Sequence, residues 1–132
     1  MAHPDCVDIF EAAKRMGLSV GVITNAAILK DGWARRITDA ATWVRVSLDA
    51  GTPKTFARTH GVKSESQFWS VVSHIEQLAA TGRATVGVGF LTNVETAGEI
   101  SRATALVKNI GVDYIQFRPF NYDSYDVTDA IL

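Results

Sequence analysis

Pairs of polar side chains occur at four places where an apolar, β-branched segment of the chain ends. They are Thr24 and Asn25, Ser47 and Asp49, Thr92 and Asn93, and Gln116 and Arg118. A carboxylate such as Asp49 accepts hydrogen bonds from both hydroxyls of a ribose, and a guanidinium such as Arg118 binds a carboxylate through two parallel hydrogen bonds. Because ligands of parallel α/β folds bind beyond the carboxyl ends of the strands, these residues form the candidate binding site.

The segment WVRVSLDAG, residues 43–51, positions the second of these pairs. Val44, Val46 and Leu48 fall on one face of an extended strand, and Arg45, Ser47 and Asp49 fall on the other. This alternation predicts a strand that packs helices against its apolar face. Its polar face is then open to a ligand.

A second strand, TVGVGFL at residues 85–91, carries glycine at every other position of one face. Gly87 and Gly89 leave that face bare down to the backbone, so a planar ring could lie close to it. Structural interpretations remain open for these site residues. The glycines are also typical of a β-bulge, Asp49 of a cap on the turn before Thr52, and Arg118 of an ion pair inside a barrel.

Helix and strand signals alternate along the whole chain. The first half of the pattern predicts a helix that begins at Pro4 and ends before Gly17, a strand at 18–24, a helix around Ile28 to Ile37, and the strand at 43–51. The second half predicts a short helix from Thr52 to about Ala57 and a long helix that begins at Ser64 and is terminated by Gly82. The strand at 85–91, a helix capped by Asn93 that ends before Gly111, and a strand at 113–118 follow. Strands separated by helices pair in parallel through right-handed crossovers, which place the helices on one side.

The polar second face argues against a doubly wound sheet, which needs apolar residues on both faces. The predicted fold is therefore α/β, a parallel partial TIM-type barrel, which is a half-barrel of about four βα units. We expect residues 1–120 to form it, with 121–132 as a tail or the start of a further element.

Composition restricts the class of protein. The chain has 132 residues, enough for one core, and its 13 basic and 14 acidic residues give no electrostatic attraction to nucleic acid or membrane. No apolar run approaches the roughly 20 residues that span a bilayer, and the amino terminus does not resemble a signal peptide. We therefore expect a cytoplasmic protein.

The cysteine and the histidines of the sequence do not indicate a disulfide or a metal site. Cys6 is the only cysteine, so the chain cannot form an internal disulfide, and it is predicted to be buried. His3, His60 and His74 lie on different predicted elements without a ligand-like spacing. We predict neither a metal site nor a catalytic residue.

Four motifs, TN-A-x-L, WVRVSLDAG, VGVGFLTN and DYIQFRP, make roughly residues 4–120 resemble the radical S-adenosylmethionine (SAM) superfamily. The resemblance implies the last four units of a six-unit partial βα barrel. It also implies that Ser47 and Asp49 help to bind the ribose and methionyl parts of SAM, and that the strand with Gly87 and Gly89 packs near adenine.

The same resemblance extends to the first and last strands. Thr24 and Asn25 match the end of a Thr-Asn-Gly strand, but Ala26 stands where the family has glycine. Gln116 and Arg118 match a last-strand motif that faces the barrel interior.

The sequence departs from the family in lacking the three-cysteine motif that holds a four-iron four-sulfur cluster. Without three thiolates this chain does not hold the cluster, and without the cluster no electron reaches SAM. The resemblance therefore implies a fragment of a radical SAM enzyme domain that is catalytically inactive alone and retains possible SAM binding.

Two alternatives remain open. The chain could be a non-catalytic binding or assembly module, and the exposed sheet edges then predict a homodimer with an eight-strand assembly. It could also be part of an unrelated βα barrel that binds a phosphorylated metabolite, although no glycine-rich phosphate loop opens a helix.

Overall fold

The computed structural model describes residues 3–120, in which helices and strands alternate. In chain order they are α1 (Cys6–Arg15), β1 (Gly21–Thr24), α2 (Trp33–Ala40), β2 (Trp43–Ser47), α3 (Pro53–Thr59), α4 (Ser66–Ala79), β3 (Thr85–Thr92), a 3₁₀ turn (Ala97–Glu99), α5 (Ile100–Asn109) and β4 (Tyr114–Pro119). The predicted tail, 121–132, lies outside the described residues. No helix within the described part is long and apolar enough to cross a membrane.

The four strands form one parallel sheet in the order β1-β2-β3-β4. Each strand follows its neighbour through at least one helix, as right-handed crossovers require. The predicted α/β half-barrel of four units is therefore confirmed.

One face of the sheet is the hydrophobic core, as the alternation in β2 predicts. Val44, Val46 and Leu48 are fully buried, as are their neighbours Val88 and Phe90 on β3. The helices contribute the opposing side chains Ile37, Phe68, Ile75 and Val107. The other face, here called the open face, carries no helix within residues 3–120.

Several predicted element ends differ from the structure. α2 begins at Trp33 rather than around Ile28, and β2 ends at Ser47 rather than at residue 51.

The ends of three other elements also differ. β1 begins at Gly21 rather than at residue 18, because the Leu18 amide still donates to the Ala13 carbonyl and completes the end of α1. α4 begins at Ser66, after Glu65, instead of at the predicted Ser64. Asn93 accepts hydrogen bonds from the Glu95 and Thr96 amides, so it shapes the loop after β3 and does not cap α5.

Candidate binding site at the carboxyl ends of the strands

Asp49 lies just beyond β2 in a left-handed conformation, with φ of 52°. Its Oδ1 accepts a hydrogen bond from the Leu91 amide at 2.7 Å, which ties the end of β2 to β3. The sequence left open that Asp49 caps the turn before Thr52. In the structure the hydroxyl of Thr52 itself accepts from the Thr55 amide, and Asp49 binds Leu91 instead.

The second carboxylate oxygen of Asp49 faces His60. Nε2 of His60 is 3.1 Å from the Leu48 carbonyl and 3.6 Å from Asp49 Oδ2. Since a carbonyl only accepts, Nε2 carries the hydrogen and directs it at Leu48. The longer distance to Oδ2 exceeds hydrogen-bond range, so this oxygen keeps lone pairs for another donor.

Glu99 fixes the loop between Asp49 and α3. Its carboxylate accepts hydrogen bonds from the Gly51 amide at 2.6 Å, the Thr52 hydroxyl at 2.7 Å and the Thr55 hydroxyl at 2.8 Å. Burial raises the pKa of Glu99, but the hydrogen bonds from Thr52, Thr55 and Gly51 favour the charged form and leave the pKa below its ordinary value. The loop that follows the site is therefore tied to the start of α5.

Two adjoining clefts open at this end of the sheet. One, of about 330 Å³, is lined by Asp49, Thr59, His60, Leu91, Asn93, Glu95, Thr96 and Phe120. The other, of about 350 Å³, is lined by Leu91, Arg118, Pro119 and Phe120. Leu91 and Phe120 border both clefts, and each volume falls in the range of about 300–1,000 Å³ that is typical of small-molecule sites.

Two predicted site residues on the open face make no side-chain hydrogen bond or ion pair within residues 3–120. Ser47 stands in register with Gly89 and Gln116, and Arg118 stands in register with Leu91. Ser47 is partly buried, whereas Arg118 is exposed. The sequence left open that Arg118 forms an ion pair with a carboxylate inside the barrel, and no such pair occurs within residues 3–120. Both Ser47 and Arg118 can therefore donate hydrogen bonds to a ligand.

The turn after β1 is built differently. Thr24 is in register with Val46, so it lies on the helix-covered face, where its hydroxyl accepts from the Ala26 amide at 3.0 Å. Asn25 is exposed, and its Oδ1 accepts from the Ala27 amide. Ala26 is fully buried and left-handed, with φ of 48°, a conformation that costs a non-glycine residue about 1–2 kcal/mol.

The two glycines of β3 are covered by side chains of the chain itself. A Cβ on Gly87 would come within 2.1 Å of the Tyr114 ring, and one on Gly89 would lie 3.6 Å from Arg45. Arg45 crosses β3 here and donates to Gln116 Oε1 at 2.7 Å. Pairing is continuous through both glycines, so neither marks a bulge.

A larger cleft, of about 830 Å³, lies elsewhere within residues 3–120. It starts at the amino ends of β2, β3 and β4 and is lined by Thr42, Trp43, Arg45, Thr85, Tyr114, Ile115, Gln116 and Phe117. We place the ligand site at the carboxyl ends because Ser47, Arg118 and the Asp49 oxygen that makes no hydrogen bond within residues 3–120 are there. The loops at that end are also the ones that carry function in βα barrels.

Sequence reasoning placed Arg45 on the open face but missed its bond to Gln116. It also missed His60 and Glu99 as parts of this end of the molecule. Glu99 binds Gly51 across 48 residues of chain, and Arg45 binds Gln116 across 71. No spacing rule connects residues so far apart. The alternation of β2 was the one signal for Arg45, because it placed that residue on the open face.

Comparison with known proteins finds likeness in structure alone. No family model matches the chain, and no curated protein matches it in sequence. The crystal structure of Streptococcus suis SuiB aligns with 94% of this chain at a TM-score of 0.76 and 11% identity, and the crystal structure of SuiB bound to S-adenosylmethionine aligns equally well. The chain covers 28% of the SuiB chain in each case. This likeness shows a shared fold, the parallel α/β partial barrel described above.

Proposed function

We propose that the chain is a SAM-binding fragment of a radical SAM-type barrel, with the cofactor at the carboxyl ends of the four strands, β1 to β4. The observation that carries the proposal is Asp49, which binds the Leu91 amide through one carboxylate oxygen. Its other oxygen lies 3.6 Å from His60 Nε2, makes no hydrogen bond within residues 3–120 and borders a cleft. The SAM-bound SuiB structure, which shares the fold, supports the choice of ligand.

The residues at this end suit the chemistry of SAM. Oδ2 of Asp49 accepts from ribose hydroxyls, Ser47 adds a hydroxyl, and Arg118 suits the carboxylate of the methionyl part. Because Tyr114 covers Gly87, we propose that adenine rests on Leu91, which borders both clefts.

The remaining predicted residues contribute indirectly. The hydroxyl of Thr24 is bound to the Ala26 amide, so Thr24 contributes by shaping the turn that leaves Asn25 exposed. Gln116 and Gly89 contribute by holding Arg45 across the sheet.

The residues of this chain do not fit an iron–sulfur cluster. Such a cluster needs several thiolates, whereas Cys6 is the only cysteine and is buried as the first residue of α1. We therefore propose that the chain alone binds SAM without cleaving it. Anaerobic reconstitution with iron and sulfide, followed by SAM and a strong reductant, is expected to leave SAM intact. Cleavage by the purified chain would contradict the proposal.

Calorimetric titration of the purified chain with SAM tests the binding site. We expect saturable heat, and Asp49→Asn is expected to weaken binding about tenfold because hydrogen bonds to charged groups contribute about 1.5–3 kcal/mol. This variant keeps an oxygen for the Leu91 amide and replaces the unengaged oxygen by an NH₂ group. Asp39→Asn, which removes a carboxylate that pairs with Arg83 on the surface, is the matched control.

Two results would overturn this assignment. The absence of heat at millimolar SAM would reject binding by the chain alone. Equal loss of affinity in both Asn variants would show that net charge, and not the Asp49 oxygen, determines binding.

A second candidate function, assembly with another copy of the chain, is favoured by exposed apolar residues at both ends of the sheet. Beside β1, Ile9, Leu18, Ile23 and Ile28 are each more than half exposed. Beside β4, Phe117 and Phe120 are 37% and 45% exposed. Both strands also present a free backbone edge within residues 3–120, and such edges pair with other strands. We propose a homodimer in which β4 of each copy pairs with β1 of the other.

Sedimentation at micromolar concentration tests the dimer. We expect Ile23→Lys, which places a charge on the β1 edge, to shift the chain to monomer, while Val94→Lys in the exposed loop after β3 leaves the dimer intact. A monomeric wild-type chain would reject the assembly.

A further inference from the structure

The buried turn after β1 is held from outside by a helix that is distant in sequence. Nδ1 of His74, on α4, is 2.7 Å from the carbonyl oxygen of Ala26. A carbonyl only accepts, so Nδ1 carries the hydrogen and donates it. Ala26, the residue of this turn with a left-handed backbone, is therefore also the residue that α4 binds through His74.

We infer that His74 is a positioning residue for the ligand site, because it fixes the turn that presents Asn25 at the carboxyl end of β1. This inference rests on the proposed function, since the turn matters for SAM only if SAM binds there. Three hydrogen bonds define the turn, namely Thr24 to the Ala26 amide, Asn25 to the Ala27 amide, and His74 to the Ala26 carbonyl. The first two are local, whereas the third anchors the turn to another element of the fold.

The position of the donor on the ring gives a selective test. The side-chain amide of asparagine places its NH₂ group about where Nδ1 of histidine lies, whereas that of glutamine reaches the place of Nε2. His74→Asn should therefore retain the bond to Ala26, and His74→Gln and His74→Ala should lose it. Ser73→Ala, on the exposed side of the same helix turn, is the control.

Amide hydrogen exchange of Ala26 and Ala27 measures the turn without any ligand. Since a net hydrogen bond is typically worth a few-fold to about tenfold in an equilibrium, we expect exchange at both amides to rise about 3- to 10-fold in His74→Ala and His74→Gln. His74→Asn should stay within about twofold of wild type. Equal exchange in all four chains, or a rise in His74→Asn as large as in His74→Ala, would overturn the inference.

SAM titration of the same variants gives the second readout. We expect His74→Ala to weaken SAM binding about 3- to 10-fold, and His74→Asn to recover most of the affinity. If wild type fails to bind SAM, the proposed function fails, and the exchange data still decide whether His74 holds the turn. If wild type binds and exchange responds but affinity does not change, His74 is only structural and the inference is wrong.

A substitution at Ala26 separates the two roles further. Glycine adopts the left-handed conformation without strain, so Ala26→Gly should reduce the effect of His74→Ala on exchange to about twofold or less. Additive effects of the two substitutions would show that His74 does not act on the strained residue.

Discussion

The turns after β1 and β2 have the same unusual backbone and are restrained in different ways. Within residues 3–120, Ala26 and Asp49 are the non-glycine residues with left-handed φ, at 48° and 52°. Ala26 has no polar side chain, so Thr24 and His74 hold its backbone from both sides. Asp49 uses its own carboxylate, which binds the Leu91 amide.

This difference determines what each turn can offer a ligand. At the Ala26 turn the hydrogen bonds join protein groups to each other and leave no charged group for a ligand. This turn can offer a ligand only its backbone shape and the exposed side chain of Asn25. At Asp49 one oxygen restrains the backbone, and the other makes no hydrogen bond within residues 3–120 and lies beside a cleft. Backbone strain concentrates at functional sites, and here only the second turn combines strain with an available charged group.

Removing the carboxylate of Asp49 should produce the largest loss of stability among the changes considered for the two turns. Asp49→Ala deletes a charge-assisted hydrogen bond and places alanine in the left-handed region, so we expect a loss of about 3 kcal/mol in the free energy of unfolding. Asp49→Asn keeps the acceptor and tolerates the conformation, and should lose less than about 1 kcal/mol. Urea unfolding measures both. Equal losses would show that the tie to Leu91 adds nothing.

Glu99, the last residue of the 3₁₀ turn before α5, supports the β2 turn, and the loss of stability on its removal should rank second. Glu99→Ala deletes three hydrogen bonds, from the Gly51 amide and from the hydroxyls of Thr52 and Thr55, and we expect a loss of about 2 kcal/mol. Glu99→Gln retains acceptor and donor groups and should lose less.

The pH dependence of stability distinguishes these Glu99 variants from wild type. Because the pKa of Glu99 is lower in the folded chain, its contribution is fully present above the ordinary glutamate pKa of about 4.3 and is lost as pH falls through the folded value. Acid unfolding of Glu99→Gln should therefore lose this component and depend less on pH below about 4.3. An unchanged acid profile would contradict the role assigned to the carboxylate.

The fold could be predicted from the sequence because burial leaves a local pattern. Val44, Val46 and Leu48 are separated by one residue each, and that spacing alone identifies a strand with one buried face. The order of helices and strands then limits the topology to a parallel sheet with helices on one side. Element ends were less predictable, as at Leu18, where the end of α1 competes with the start of β1.

The candidate site could be predicted only in part, because its contacts join distant segments. The ends of the strands were recognisable from their polar residues, including Asp49, yet the Leu91 amide that restrains it lies 42 residues away. Ala26 and His74 are 48 residues apart. Thr24 was predicted at the site, but its face depends on its register with β2, and that register places it in the core.

Thr24→Val tests the local restraint on the β1 turn and should have a smaller effect than the changes at the β2 turn. Valine matches the shape of threonine and leaves the buried Ala26 amide without its acceptor, so we expect a loss of about 1 kcal/mol. Thr24→Ser keeps the hydroxyl and serves as the control. If Thr24→Ser lost more stability than Thr24→Val, the methyl group and not the hydrogen bond would hold the turn.

Glycine at the two left-handed positions should change the free energy of unfolding by different amounts. At Ala26, release of about 1–2 kcal/mol of strain opposes the loss of a buried methyl, worth about 0.8 kcal/mol, and the greater chain entropy of glycine, so the net change stays within about 1 kcal/mol. Asp49→Gly releases similar strain but also removes the bond to Leu91, and should destabilise the chain by about 2 kcal/mol. Urea unfolding of both variants decides the matter. If Asp49→Gly left the free energy of unfolding unchanged, the β2 turn would require only the left-handed backbone conformation and not the carboxylate. The carboxylate of Asp49 would then serve ligand binding alone.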